Sequence, residues 1–351
     1  MIAHAFGESR PWSVGIEEEL FVLDAETLEP APFPVELLDG ERLKAELFST
    51  LVELTTGICS SVEEAVAELV ELRAEAKRRA AGHGLVVAAA GTWPLAVPEE
   101  QPISDIPALR SFAEYAGSAA RRQFCCGLHV HVGVESPELC LGALEAVLPW
   151  LPLVLALSAN SPYVAGKATG LASSRAELLG LLPRAGAPPV FATYGDWERF
   201  AEKLVAFGLA DSYTRIWWDI RPHPRYGTLE LRMPDQPTAI ETTGALAALL
   251  QALVMAAEPG PAADRGLYQQ NRWAAGRFGA DVELVHPDGS RLAAVPELLD
   301  ELVARVEPFA RRVGSAALLG RLDGLAQADE QLELGRRAGL PALCSRLVEL
   351  T

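Results

Sequence analysis

CCGLHVHVGV, residues 125–134, sets His129 and His131 two positions apart in a run of valines. An extended strand sends alternate side chains to opposite faces. Val130, Val132 and Val134 then share a face suited to a core, and His129 and His131 share the other. That second face is either a polar surface or one wall of a site. Histidine is scarce here, six in 351 residues, so two in one strand carry weight.

Three other apolar or aromatic stretches repeat the pattern. GIEEELFVL carries Glu17 and Glu19, IWWDIRP carries Asp219 and Arg221, and GTLELRM carries Glu230 and Arg232. Glu53, in LVELTTG, adds a carboxylate. Strands this apolar are mostly covered, and covered charges are costly unless paired or bound to metal. If the polar faces converge, they line a funnel that calls for cations and an anion together.

The surroundings of these strands give the fold class. Strands are expected at 12–24, 47–57 and 85–93, with a hairpin at 215–235. Residues 60–84 read as a helix, opened by Ser61 and Glu64 and closed by glycines. Further helices are expected at 107–124, 137–159, 196–209 (capped by Asp196), 237–257, 296–318 and 322–349. Strands and helices do not alternate regularly, and the tight turn at 222–227 favours antiparallel pairing. The reading is α+β: an antiparallel sheet flanked by helices, with a helical C-terminal region over about 237–351. No linker or repeat divides the chain, so 1–351 reads as a single domain. The stretch 164–189, rich in Gly, Ala and Ser, reads as an ordered loop over a site or a flap.

Composition narrows the partners. The formal charge is −17, from 30 basic and 47 acidic side chains, which leaves no whole-chain basic footprint for nucleic acid. The apolar run 139–159 contains Glu145, Pro149 and Pro152, which suits a buried, kinked helix better than a membrane span. Five cysteines without C-x-x-C spacing read as reduced thiols in a cytoplasmic protein. An exposed edge strand would allow a homodimer.

The candidate ligands are carboxylates with one or two imidazoles and no sulfur, a set for Mg²⁺ or Mn²⁺ rather than structural zinc. Arg221 and Arg232 are suited to clamping a phosphate or carboxylate. Carboxylates, Mg²⁺ and arginine are the parts of phosphoryl transfer. The residues alone leave two alternatives open: a metal-dependent hydrolase using the His129/His131 pair, and a non-catalytic ATP-binding regulatory protein.

GIEEEL, GLHVHVGV, LSANSPY, WWDIRPHPRYGTLELRMPD and NRWAAGRFG, in this order over roughly 13–280, resemble the carboxylate–amine ligases, or type 2 glutamate–cysteine ligases, whose fold is similar to the catalytic domain of glutamine synthetase. The resemblance implies a curved antiparallel sheet forming an ATP and Mg²⁺ funnel. It implies ATP-dependent joining of a small-molecule carboxylate, such as that of glutamate, to an amine, such as that of cysteine, through an acyl phosphate. By resemblance, Glu17, Glu19, Glu53, His129 and Glu230 hold metal. Arg232 faces phosphate, and Arg221 and His131 serve catalysis and the substrate. Ser173 and Arg175 shape the substrate pocket, and Asn271, Arg272 and Arg277 fall in a nucleotide segment. After SPY the family shows an aromatic and an acidic residue where this chain has Val164 and Ala168.

Overall fold

The computed structural model describes residues 2–325 and 327–351. Its frame is a seven-stranded sheet. The strands are β1 (Val14–Asp24), β2 (Leu43–Ala45), β3 (Leu51–Thr55), β4 (Leu85–Ala88), β5 (Leu128–Gly133), β6 (Ile220–His223) and β7 (Thr228–Leu231). They run in the order β2-β3-β1-β5-β7-β6, with β4 also paired to β1. Every pairing is antiparallel.

β1 is long enough to serve three neighbours. Glu17 lies opposite Thr55 on one side and His129 on the other, while Phe21 to Asp24 pair with β4. His131 in turn lies opposite Glu230, and Glu230 opposite Arg221. The register therefore lays acidic, imidazole and guanidinium side chains across one face, as the period-two spacing predicts.

The opposite face is apolar. Ile16, Leu20, Val130, Val132, Leu229 and Leu231 are buried in one core with the helices Val62–Ala81, Pro137–Val147 and Ile240–Met255. Burying side chains of this size is the main favourable term in such a frame, about 1.5–3 kcal/mol for each large one. A second core of Phe21, Phe48, Trp93, Phe112 and Phe124 closes the sheet's polar face beyond Glu19. The run Pro137–Ser158 is long and apolar enough to cross a membrane by composition, yet 72% of its apolar window is buried inside the protein. It breaks at a 3-10 turn, Leu148–Trp150, as Pro149 requires.

Several expectations are corrected. The expected helix at 107–124 is two pieces, Pro107–Ala116 and Ser118–Arg121, split at Gly117 with φ 59°. The helix Tyr194–Ala206 is capped by Thr193, and Asp196 completes the capping box from inside the first turn. The region 322–349 contains two helices, Gln327–Ala338 and Leu340–Leu350, divided at Gly339 with φ 85°. The stretch 164–189 is not structureless: Tyr163–Val164 pairs with Lys167–Ala168, and Ser174–Leu179 is helical.

Candidate active site

Side chains from five strands and the β2–β3 connection meet on the polar face. Glu17, His131 and Glu230 each bring one ligand atom into a group whose atoms lie within 4.8 Å of one another. Glu19, Glu46 and Glu53 form a second group by the same measure. Neighbouring residues of β1 on the same face, Glu17 and Glu19, thus serve different groups because they stand one pleat apart.

Glu17 is held well below the usual carboxylate range: burial acts to raise it, but hydrogen bonds and charge from His129 and His131 outweigh that. Its Oε2 is 3.2 Å from His129 Nδ1, and its Oε1 is 3.7 Å from His131 Nε2. His131 Nδ1 meets Thr228 Oγ1 at 2.9 Å, which fixes the ring. His131 Nε2, buried beside Glu17, has no hydrogen-bond partner among the described residues. An oriented imidazole with an unpartnered nitrogen between two carboxylates suits a metal ligand. His129 differs. Burial and the Arg232 guanidinium push it down to about 4, and it stands outside the three-residue group. The sequence expectation puts His129 on metal and His131 at the substrate; in the structure His131 is the one that stands in the three-residue group.

Glu230, 1% exposed, lies between two arginines. Arg221 meets it through Nε at 2.5 Å and Nη2 at 3.2 Å, and Arg232 bonds it through Nη1. Burial acts to raise its pKa, but Arg221 and then Arg232 hold it well below the carboxylate range. Arg221 also donates to the carbonyls of Thr214 and Ile216, so nearly all its donors are used internally. Arg232 keeps Nε and Nη2 without hydrogen-bond partners among the described residues, and its side chain is 17% exposed. Of the two, Arg232 is the one equipped to receive an anion.

The second group behaves oppositely. Glu46 is raised well above the carboxylate range by burial and then by Glu19 and Glu53. Glu19 is raised by burial, which the nearby Arg175 only partly offsets. Carboxylates crowded out of water hold protons until a cation takes their place. Because these folded values lie above the unfolded ones, protonation stabilises the protein at low pH, and that contribution is lost as pH rises through the raised values. A cation bound among these carboxylates would reverse the loss. The thermal shift it produces is expected to grow as pH rises through the raised values, because fewer protons must then be displaced. Differential scanning fluorimetry across that range checks it; a shift independent of pH would contradict the assignment.

Glu46 is absent from the sequence-based site. It stands in LKAELF, two residues beyond Lys44, in a segment whose three-residue strand is too short to show a period. An acidic residue just ahead of a buried leucine and phenylalanine was the available signal.

A cavity of about 550 Å³ opens onto this face, lined by Glu17, His131, Lys44, Arg225, Tyr226 and Thr228 among others. None of residues 164–189 lines it. Ser173 and Arg175 are buried in a separate network. Ser173 Oγ donates to Asp235 Oδ1 at 2.8 Å, and Arg175 donates to the carbonyls of Met233 and Arg232 at 3.1 Å each. Arg175 also packs on Gly127, where an added Cβ would lie 2.0 Å from Nη2. Gly127 N–H donates to Glu19 Oε2 at 2.6 Å. Ser173 and Arg175 thus brace the site's strands rather than line its cavity.

Asp219 turns away from the face and accepts from Tyr268 Oη at 2.7 Å and Arg272 Nε at 2.8 Å. Asn271 clamps both backbone polar groups of Val285, and exposed Arg277 lies over the Phe278 ring. The structure does not bring Asn271, Arg272 or Arg277 to the two carboxylate groups. Trp218 packs in the core against Phe191 and Phe200, and Trp217 stacks near Phe112. All five cysteines are buried and unpaired.

Comparison with known proteins agrees with this geometry. Residues 13–338 match glutamate–cysteine ligase family 2. A protein of Rubrobacter xylanophilus, provisionally named glutamate–cysteine ligase 2-3, is 40% identical over 99% of both chains. One of Sorangium cellulosum, provisionally named glutamate–cysteine ligase 2, is 36% identical over 96% of both. The crystal structure of the glutamate–cysteine ligase of Francisella tularensis in complex with AMP has the same fold, with TM-score 0.72 at 14% identity over 97% of this chain and 89% of that one. Fold and relatives together define a ligase that joins a carboxylate to an amine. The chain belongs to glutamate–cysteine ligase family 2. Membership removes the support for a hydrolase built on the His129/His131 pair.

Proposed function

We propose that the protein uses ATP and a divalent cation, Mg²⁺ or Mn²⁺, to join a small-molecule carboxylate such as that of glutamate to an amine such as that of cysteine, through an acyl phosphate, with 1–351 acting as one catalytic domain. The observation that carries this reading is the pair of carboxylate groups, Glu17/His131/Glu230 and Glu19/Glu46/Glu53, set side by side with Arg232 on one face.

Glu17, His131 and Glu230 would hold cation on the side of the 550 Å³ cavity, and Glu19, Glu46 and Glu53 would hold a second one further along the same face. When bound, Mg²⁺ supplies charge neutralisation to phosphate oxygens. Arg232 offers Nε and Nη2 to the transferring phosphoryl group, where charge shifts during attack by the acceptor carboxylate. Arg221 keeps Glu230 ionised and in place. His129, held neutral near pH 7 by burial and Arg232, orients Glu17 without adding positive charge. As the carboxylate–phosphorus bond forms, the bond to the bridging oxygen breaks and ADP leaves. The amine then attacks the acyl carbon, releasing a proton, and phosphate departs, so the amide oxygen derives from the acceptor carboxylate. Five unpaired buried cysteines fit a reducing, cytoplasmic setting.

The test is phosphate release with ATP and Mg²⁺ over a panel of amino-acid pairs that includes glutamate with cysteine, with products identified by mass. Release that requires both substrates and the metal is expected. ATP binding with no release across the panel would instead indicate a regulatory relative.

A further inference from the structure

Lys44 stands across the edge of the sheet from Glu53, in register with it. Its Nζ lies 2.9 Å from Glu53 Oε1, an oxygen that also accepts from Thr55 Oγ1 at 2.9 Å. Glu53 belongs to the second carboxylate group, and Lys44 itself lines the cavity beside Glu17, Arg225 and Tyr226. The lysine therefore borders both the second group and the cavity. Its side chain is 29% exposed, on a flexible stem, and among the described residues Glu53 is the one side chain to which it is bonded.

We propose that Lys44 is a shuttling cation: without metal its ammonium neutralises Glu53, and with metal and nucleotide present it bonds the nucleotide's phosphate oxygens in the cavity. This rests on the ATP and divalent-cation reading above. An ammonium on Glu53 competes with a cation for that carboxylate. Once a cation takes Glu53, the ammonium loses its bonded partner and is free to meet polyphosphate entering the cavity that it lines.

The two roles have opposite signs, which a merely structural lysine would not produce. In Lys44→Met, Mn²⁺ binding without nucleotide, read from the free-ion EPR signal, is expected to tighten about threefold or more. Binding of a non-hydrolysable ATP analogue at saturating Mn²⁺, read by calorimetry, is expected to weaken about tenfold or more, the scale of one hydrogen bond to a charged group. Lys44→Arg should retain analogue affinity within about threefold, because it keeps the charge. Unchanged or weaker Mn²⁺ binding in Lys44→Met, or unchanged analogue binding, overturns the inference. Wild-type protein that binds neither Mn²⁺ nor the analogue overturns the underlying metal and nucleotide reading, and the inference with it.

Discussion

Glu230→Gln is expected to abolish ATP-dependent ligation and to lower the unfolding free energy by about 3–5 kcal/mol, the usual cost of leaving buried charge uncompensated. The amide matches the carboxylate in volume, so packing hardly changes. Charge does. Glu230 is 1% exposed and pairs with both Arg221 and Arg232. Without it two guanidiniums face each other with no counter-ion between them. Arg221 would keep its bonds to the Thr214 and Ile216 carbonyls, so the damage centres on β6 and β7. The proposed cation group Glu17/His131/Glu230 would also lose a carboxylate ligand. Urea unfolding followed by circular dichroism measures the first effect and phosphate release the second. Full ligation by the variant would remove Glu230 from the site. Folded but inactive protein with unchanged stability would mean that the arginines find other partners.

The spacing of two in Glu17/Glu19, His129/His131 and Glu230/Arg232 was legible because a strand's alternation is a local property, written in neighbouring residues. The register that sets Glu17 against His129 and His131 against Glu230 follows from the same alternation once one face must be buried. What spacing cannot carry is which partner each polar group finds. Asp219 shares its parity with Arg221, yet β6 begins only at Ile220, and Asp219 is drawn off by Tyr268 and Arg272 from a helix some 50 positions on. Ser173 and Arg175 look like pocket residues in sequence but are tied to Asp235 and to backbone near residue 233, contacts made only after the chain has folded back. Glu46 was missed for the converse reason: its segment is too short to show a pattern, and only tertiary approach brings it to Glu19 and Glu53.

Glu18 shows how the geometry of the carboxylate face depends on the face opposite it. It stands between Glu17 and Glu19 and points into the core, 0% exposed. Arg73, from the helix Val62–Ala81, grips it with Nε at 2.7 Å and Nη2 at 2.8 Å, while Gln236 and Thr243 donate at 2.9 and 2.6 Å. Arg73 also donates to the Thr238 carbonyl at 2.8 Å. Burial acts to raise the Glu18 pKa, but Arg73 prevails and the value is lowered. Its stabilising contribution is therefore present above the ordinary carboxylate pKa and is lost as pH falls through the lowered one. Arg73→Met should cost about 3–5 kcal/mol in urea unfolding near neutral pH, because a buried carboxylate is left without its counter-charge. Adding Glu18→Leu to that variant should recover most of the loss, since an apolar pair replaces the ion pair. The single variant should also show a smaller Mg²⁺-induced thermal shift than wild type at any pH where it remains folded. Gln236 connects the two faces: its Nε2 donates to Glu18, and its Oε1 accepts from the backbone N–H of Glu19 at 3.3 Å. Loosening Glu18 therefore loosens the pleat that sends Glu17 and Glu19 to separate cation groups. A variant that lost stability yet kept the full Mg²⁺ response would show that β1 holds its register without this buried anchor.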